Sequence, residues 1–268
     1  MSNLLAFSCL ASGSKANSYL VRSEKTNLLI DCGLSVRELG KRLLFHEFNI
    51  SQLTAVIVTH EHEDHIAGIK TLCLKHQIPL YVTEPVFESD SRLQCISLHQ
   101  VFFFSSESSF EIGDLSIETF NVSHDAVQTV GLRIWNSNKS ISILTDIGEY
   151  DDTIIERVCG ADALVIEANH DQEKLWACAY PWYLKKRIAG AGGHLGNHHT
   201  TEFLKKLCKK KNYLNSPLKF LGAAHISDNS NTHELAYNAI EAGVEESISA
   251  PKLFVARQDK ASEMFIIS

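Results

Sequence analysis

With 268 residues, the chain is long enough to bury a core in one large or two small domains, and too long for a disulfide-stapled miniprotein. Hydrophobic residues make up 44% and charged residues 21%, which is ordinary for a globular protein and excludes disordered and fibrous classes. No apolar run reaches the roughly 18–20 residues of a membrane span, and the N-terminal segment lacks the basic start of a secretory signal peptide, so no membrane partner is expected.

The number and spacing of the cysteines indicate the cellular compartment in which the protein is found. The seven cysteines are scattered, odd in number and without a Cys-x-x-Cys pair. This pattern favours reduced thiols over a disulfide framework or a cysteine zinc site, and it predicts a cytoplasmic protein. The thirteen histidines are more unusual, because several lie close together beside acidic residues.

The net charge of −7 is unevenly distributed. Residues 174–219 contain ten basic residues and the single acidic residue Glu202, so this segment has a charge of +9 and the rest of the chain −16. A basic region on an acidic protein indicates an anionic substrate bound at one face, although a solvated helix face explains the charge equally well.

The first third of the chain alternates predicted strands with predicted helices. Short apolar or β-branched stretches predict strands at residues 4–10, 18–21, 27–30, 53–59 and 79–83. Helical periodicity is found at residues 34–48 and 66–76.

The remainder is richer in strands. Predicted strands lie at residues 97–104, 110–122, 129–135, 140–145, 163–167 and 220–225, and predicted helices at 200–210 and 233–242. No internal repeat or flexible linker divides the chain. We therefore expect a layered α/β sandwich in a single domain over residues 1–268.

A dense cluster of histidines and acids follows the predicted buried strand at 53–59. In the sequence THEHEDH, His60 and His62 alternate along an extended segment and therefore point the same way, toward one metal ion. Asp64 and His65 follow at the start of a helix and point toward a second ion. Clustered imidazoles without a metal would leave polar groups unsatisfied, so metal ligation is favoured over a surface histidine cluster.

Three further candidate ligands lie where predicted strands end: His124, Asp146 and His225. Each alone is more often structural. Together they complete two ligand sets, with Asp146 as the bridge between the ions. The sets are His60, His62 and His124, and Asp64, His65 and His225. Zinc suits this imidazole-rich ligation best, while manganese and iron also accept a mixed histidine and aspartate site.

The motif His-x-His-x-Asp-His after a buried strand, with the later His124, Asp146 and His225, resembles the metallo-β-lactamase fold over nearly the whole chain. The opening SGSKANSYLV, the following LLIDCGLS and the stretch 167–231 are similar to the YycJ/WalJ (VicX)-like nuclease branch. The resemblance implies an α/β (α+β) fold, an αββα four-layer sandwich with a two-metal site between the sheets. It also implies a phosphodiesterase, a 5′→3′ exonuclease acting on DNA, with RNA left open as the substrate.

Three residues match other motifs of this branch. Glu167 matches its acidic motif, and His194 matches the histidine that pairs with that acid and assists the leaving group. Asp31 matches the first motif, whose carboxylate orients metal ligands from behind. Asp64 is expected to orient the attacking water as well as to bind metal. The alternative is that both residues are structural, with His194 a loop histidine and Glu167 a carboxylate that only supports it.

Five residues are candidates for substrate binding: Ser227, Asn229, Lys185, Lys186 and Arg187. Ser227 and Asn229 lie near the last candidate ligand. The three basic residues follow Tyr180, Trp182 and Tyr183, and aromatic rings beside basic charge suit nucleic acid through stacking and phosphate contact. A core aromatic cluster next to one exposed basic turn is the alternative.

Two other functions remain open from the sequence. A glyoxalase II-like thioester hydrolase or a lactone hydrolase uses the same metal motif on a small acyl substrate. The Glu167/His194 pair and the basic segment favour a phosphodiester over both. A non-catalytic binding module on this fold is the second alternative, and the complete ligand set argues against it. The sequence does not indicate an oligomeric state.

Overall fold

Two seven-stranded β-sheets lie at the centre of the computed structural model, which describes residues 4–137 and 139–267. The strands are β1 (Leu5–Ala11), β2 (Ser18–Arg22), β3 (Asn27–Ile30), β4 (Ala55–Ile57), β5 (Leu80–Val82), β6 (Val101–Phe103), β7 (Ser108–Ile112), β8 (Leu115–Asn121), β9 (Val130–Asn136), β10 (Lys139–Leu144), β11 (Ala163–Glu167), β12 (Phe220–Ala224), β13 (Lys252–Val255) and β14 (Phe265–Ile267). The first sheet has the order β14-β1-β2-β3-β4-β5-β6 and the second β13-β12-β11-β10-β9-β8-β7.

The helices lie between these strands along the chain. They are α1 (Val36–Phe45), α2 (Glu63–Ile66), α3 (Ile69–His76), α4 (Glu84–Ser89), α5 (Ser91–Gln94), α6 (Asp152–Cys159), α7 (Gln172–Ala177), α8 (Trp182–Ile188), α9 (Asn197–Tyr213) and α10 (His233–Val244). Local sequence explains several helix starts. At α1, for example, the side chain of Ser35 accepts the backbone N–H of Glu38, as an N-cap residue does.

The layers are helix, sheet, sheet, helix. Apolar side chains of both sheets, such as Leu28 and Ile57 of the first and Leu132 and Ile143 of the second, form a buried core between them. A second core packs α1 and α3 on the outer face of the first sheet, and a third packs α6, α9 and α10 on the outer face of the second. This confirms the expected αββα sandwich.

Parallel strand pairing brings the candidate ligands to one edge of the sandwich. In the first sheet β3 pairs in parallel with β4, and in the second β10, β11 and β12 pair in parallel. Parallel neighbours end on the same side, so the residues that follow them meet there. Asp31 follows β3, Asp146 closely follows β10, and His225 follows β12.

Several expected elements have different boundaries. Residues 97–104 form a 3₁₀ helix (Leu98–Gln100) followed by the short strand β6, and not one long strand. Residues 110–122 belong to a hairpin, β7 and β8, which turns at Gly113 with φ 61°. The helix expected at 66–76 is divided into α2 and α3. Gly68 lies between them, where a Cβ atom would lie only 2.2 Å from the carbonyl oxygen of Leu34.

Most of the seven cysteines are buried. All seven are free, and Cys73, for example, lies in the core beneath α3. Burial raises the pKa of the Cys73 thiol to about 12. Among the described residues, no helix combines the length and apolar character that crossing a membrane requires.

Candidate metal centre

Three residues with left-handed backbone conformation direct their side chains into the site. Asp31, Asp146 and His225 follow the ends of β3, β10 and β12 and have φ values of 59°, 57° and 52°. This conformation costs energy for a residue other than glycine, and such residues are concentrated at functional sites. All three side chains are buried at the shared edge of the two sheets.

The histidine-rich segment after β4 forms the opposite side of the site. His60 and His62 precede α2, and His62 is its N-cap residue. Asp64 and His65 lie in the first turn of that helix. Two histidines in an extended segment are therefore followed by the start of a helix, and this is the local structure that the spacing predicts.

One set of donor atoms comprises the rings of His60, His62 and His124, whose facing nitrogens lie within 4.8 Å of one another. His124 donates Nδ1–H to a backbone carbonyl oxygen at 2.9 Å, so its Nε2 is an acceptor, and this atom lies 3.3 Å from His62 Nδ1. Thr59 donates its hydroxyl proton to Asp31 and therefore accepts the Nδ1–H of His60 at 3.0 Å. His60 Nε2 is left buried without a hydrogen-bond partner.

A second set comprises Asp64, His65 and His225, again with donor atoms within 4.8 Å of one another. Asp64 Oδ2 lies 3.5 Å from His65 Nε2 and 3.3 Å from His225 Nε2. His65 donates Nδ1–H to Asp31 Oδ2 at 2.8 Å. This contact fixes the ring so that Nε2 faces Asp64.

Asp146 lies between the two sets. Its Oδ2 is 3.2 Å from His65 Nε2, while its Oδ1 is 3.3 Å from His225 Nε2 and 3.8 Å from His124 Nε2. The residue is 2% exposed, and Oδ2 accepts no hydrogen bond. A carboxylate whose oxygens face members of both sets is placed to bridge two cations.

Burial and charge shift the proton affinities within this cluster. Burial lowers the pKa of His60 well below its usual value. Burial also opposes protonation of His65 and His225, but the neighbouring carboxylates together outweigh it and raise the pKa of both: Asp146 and Asp31 at His65, and Asp146, Asp64 and Glu167 at His225. Burial opposes ionisation of Asp64, yet its contacts with His225 and His65 lower its pKa. The carboxylates therefore make this edge a site that favours positive charge.

These donors fit divalent metal ions. Buried nitrogen lone pairs that face other donors, such as Nε2 of His60, cost free energy unless a cation satisfies them. Imidazole and carboxylate ligands together suit zinc, manganese or iron. Either set supplies three donors, and Asp146 adds an oxygen to both.

A fully buried carboxylate, Glu167, orients two histidines at once. Its Oε1 accepts the Nδ1–H of His194 at 2.8 Å and that of His225 at 2.9 Å. Its Oε2 accepts the backbone N–H groups of Ile147 at 2.9 Å and Leu195 at 3.2 Å. Burial opposes its ionisation, but His194 and His225 lower its pKa to about 2. Glu167 is therefore ionised at neutral pH and holds both rings by Nδ1.

Three residues that position ligands were not expected from the sequence: Thr59, Asn17 and Asn169. Asn17 donates from its side chain to Asp64 Oδ2 at 3.0 Å and from its backbone to Asp64 O at 2.7 Å. Asn169 donates to the backbone carbonyl of His225 at 2.8 Å. Asparagines are typical of turns, so nothing in the sequence indicates that Asn17 contacts Asp64 or that Asn169 contacts His225.

Members of both sets and His194 face one open cleft of about 290 Å³. Its lining residues are Ser14, His62, Glu63, Asp64, Asp146, Arg187, His194 and His225. Arg187 forms an ion pair with Asp125, the residue after the ligand candidate His124. The cleft thus combines the two donor sets, a cation at its border and His194. His194 belongs to neither three-residue set, although one of its ring nitrogens lies within 4.8 Å of donor atoms of Asp146, Glu167 and His225.

A family model described as the beta-lactamase superfamily domain matches residues 26–214. The chain belongs to the metallo-β-lactamase superfamily. Exodeoxyribonuclease YycJ of Bacillus anthracis is 34% identical over 243 residues, which are 90% of this chain and 90% of that protein. Exodeoxyribonuclease WalJ of Streptococcus pneumoniae is 36% identical over 234 residues, 86% of this chain and 85% of that protein.

A crystal structure shares the fold. The metallo-β-lactamase fold protein YhfI from Bacillus subtilis matches with a TM-score of 0.72 at 19% identity, covering 99% of this chain and 100% of that chain. The sequence relatives place the chain in the YycJ/WalJ-like branch of the superfamily, as the residue motifs predicted. The chain is therefore a metal-dependent hydrolase.

The three basic residues that were expected to bind substrate differ in their exposure and in their distance from the cleft. Arg187 lines the cleft, and Lys186 is exposed on the same helix, α8. Lys185 is not available to a substrate, which corrects the expectation for this residue. It is 7% exposed, and its ammonium group donates to the carbonyl oxygen of Trp176 at 2.7 Å, because α8 turns this position inward.

Ser227 and Asn229 are also not placed at the cleft. Ser227 is buried, and its hydroxyl oxygen accepts the backbone N–H groups of Asn229 at 3.3 Å and Ser230 at 3.2 Å. The exposed Asn229 donates its side-chain amide to Tyr180 Oη at 2.6 Å. Ser227 stabilises the loop after His225 from inside the protein, so the expectation of substrate contact is corrected for this residue. Asn229 is exposed, and its contact with substrate stays a prediction.

Proposed function

We propose that the chain is a two-metal exodeoxyribonuclease that removes nucleotides from DNA in the 5′→3′ direction. Support comes from its relatives YycJ and WalJ, which are exodeoxyribonucleases by name. The single observation that favours it is the Glu167–His194 pair at the cleft, where His194 lies outside the two three-residue ligand sets. A departing alkoxide needs a proton donor, whereas the thiolate released from a thioester does not.

The two ions would be held by the two donor sets, with Asp146 shared between them. The first set is His60, His62 and His124, and the second is Asp64, His65 and His225. Zinc is the proposed metal because imidazoles dominate the ligands. Two divalent ions, when bound, supply Lewis-acid polarisation of the phosphodiester and lower the pKa of water.

The side chains around the cleft have separate tasks in this proposal. Asp64, with a lowered pKa, is an ionised acceptor that orients the attacking water. His194 donates Nδ1–H to Glu167 Oε1, and its other ring nitrogen, Nε2, passes a proton to the departing oxygen. Arg187 at the border of the cleft pairs with a phosphate of the bound strand.

Digestion of end-labelled single-stranded and double-stranded DNA and RNA by the purified protein, with zinc and with manganese, tests this function. The proposal predicts stepwise release of nucleotides from the 5′ end of DNA. A thioester and the phosphodiester bis-p-nitrophenyl phosphate are assayed in parallel. Turnover of the thioester, with no cleavage of any oligonucleotide under either metal, would show that the chain is a small-molecule hydrolase.

A further inference from the structure

Two short helices next to the metal cleft carry aromatic rings on their solvent side. Trp182 and Tyr183 at the start of α8 are 62% and 74% exposed, and Trp176 of α7 is 38% exposed. The ring centroids of Trp176 and Trp182 lie 5.0 Å apart. A core aromatic cluster would be buried, so packing does not explain these three rings, which we call the aromatic surface.

Basic side chains accompany the aromatic surface. The ammonium group of Lys186 lies 5.4 Å from the centre of the Trp182 ring. Arg187, whose side chain is 58% exposed, extends from the same helix to the metal cleft, where Asp125 is its ion-pair partner. Aromatic rings that stack on bases, next to cations that neutralise phosphates, are the two components of single-strand binding sites.

Arg187 connects the helix of the aromatic surface with the metal cleft. Tyr183 precedes Arg187 by four residues, so the two share a face of α8 at a rise of about 6 Å. The loop that contains His194 is fixed to the end of the same helix. His194 donates its backbone N–H to Ile188 O at 2.8 Å, and at Gly193 a Cβ atom would lie only 2.2 Å from that oxygen.

We propose that the aromatic surface binds the unpaired bases of a DNA strand whose reacting phosphate lies in the metal cleft. This inference rests on the proposed nuclease function and specifies the form of its substrate. In a duplex the faces of each base are covered by neighbouring base pairs, so the rings can stack only on an unpaired strand. Lys186 and Arg187 then pair with phosphates on either side of the stacked bases.

The test compares binding of a fluorescein-labelled phosphorothioate oligothymidylate with that of a duplex hairpin, by fluorescence anisotropy of the zinc-loaded protein. Replacing both rings in the variant Trp182→Ala/Tyr183→Ala is expected to weaken oligothymidylate binding by about 10- to 100-fold and hairpin binding much less. Conservative replacement by phenylalanine at both positions should retain tight binding, because a ring remains. Phe45→Ala is the matched control, since Phe45 is 68% exposed on the distant helix α1.

Zinc content and melting temperature show that each variant is folded and loaded. Equal affinity of wild type and alanine variant for the oligothymidylate overturns the proposal, as does an equal loss on the hairpin. Dissociation of a dimer in the alanine variant, with DNA affinity unchanged, would identify the surface as a self-association interface instead. Digestion of end-labelled oligothymidylate by the wild type separates the two claims, because the nuclease function can hold while the aromatic surface fails.

Discussion

The two sheets contribute to the metal centre in different ways. The first sheet supplies its donors from one short segment, residues 60–65, between β4 and the first turn of α2. The second sheet supplies single residues from separate strand ends: His124 after β8, Asp146 after β10 and His225 after β12. One half of the site is local in sequence and the other half is assembled by tertiary structure.

The residues that hold the donors differ in the same way. On the first sheet, Asp31 fixes one ligand ring, His65, and also accepts a hydrogen bond from Thr59, the residue just before the segment 60–65. On the second sheet, Glu167 fixes both His225 and His194 and is itself held by backbone N–H groups of two loops. Dispersed ligands need a shared anchor, so a single substitution of Glu167 should affect both a metal ligand and His194.

The largest effect is expected from the residue that joins the halves. Asp146→Asn keeps the side-chain shape but removes the charge that faces both donor sets, so it should lose both ions and abolish DNA cleavage. Elemental analysis of the purified variant measures this, with Asp152→Asn on the exposed face of α6 as the control. Full occupancy of both ions in Asp146→Asn would show that the two halves are independent.

The second-largest effect is expected at the proposed proton donor, His194, where the loss of rate should occur without a loss of metal. His194→Ala should retain its ions and lose roughly 10²–10⁴-fold in the rate of DNA cleavage. The loss should be smaller on bis-p-nitrophenyl phosphate, whose leaving group needs no proton. His198→Ala is the control, since that side chain is 70% exposed. An equal loss on both substrates would make His194 a residue for binding or structure.

A matched pair of substitutions compares the two anchors directly. Glu167→Gln and Asp31→Asn should each weaken metal binding by about 10- to 100-fold, because each leaves a ligand imidazole without its carboxylate. Of these two variants, only Glu167→Gln should also make the rate more dependent on the leaving group, because Glu167 contacts His194 and Asp31 does not. The same leaving-group dependence in both variants would contradict separate anchors.

The smallest effect concerns the amide that holds Asp64. Asn17→Ala removes the side-chain hydrogen bond to Asp64 Oδ2 and the contact of the same amide nitrogen with His65 Nε2 at 3.0 Å, but it leaves the backbone contact with Asp64 at 2.7 Å. Zinc affinity should therefore fall by about 10-fold or less. Competition with a chelator of known affinity measures the change. A complete loss of zinc would mean that the Asn17 side chain, and not the helix start, positions Asp64 and His65.

The difference between the local and the dispersed half of the site also explains which features could be predicted from the sequence. The segment 60–65 is visible because its spacing alone places the ligands, and β-branched runs locate most strands of the sandwich. The short helices α6, α7 and α8 were not predicted, and neither were β13 and β14, because elements of three to eight residues contain too few turns or alternations for a clear period.

The family resemblance implied that Glu167 pairs with His194, and the structure has this contact. The second contact of Glu167, with His225, was beyond the sequence because it depends on the parallel pairing of β11 with β12. The inward direction of Lys185 was missed for a similar reason. A run of three basic residues gives no sign of which one faces the protein, and only the packing of α8 against α7 determines it.

Anomalous diffraction at the zinc edge, from crystals of the zinc-loaded protein, tests most directly the claim that donors from both sheets hold two ions. The account predicts two peaks in the cleft, one beside His60, His62 and His124 and the other beside Asp64, His65 and His225, with Asp146 between them. A single peak in the cleft, or two peaks with Asp146 contacting only one, would contradict it.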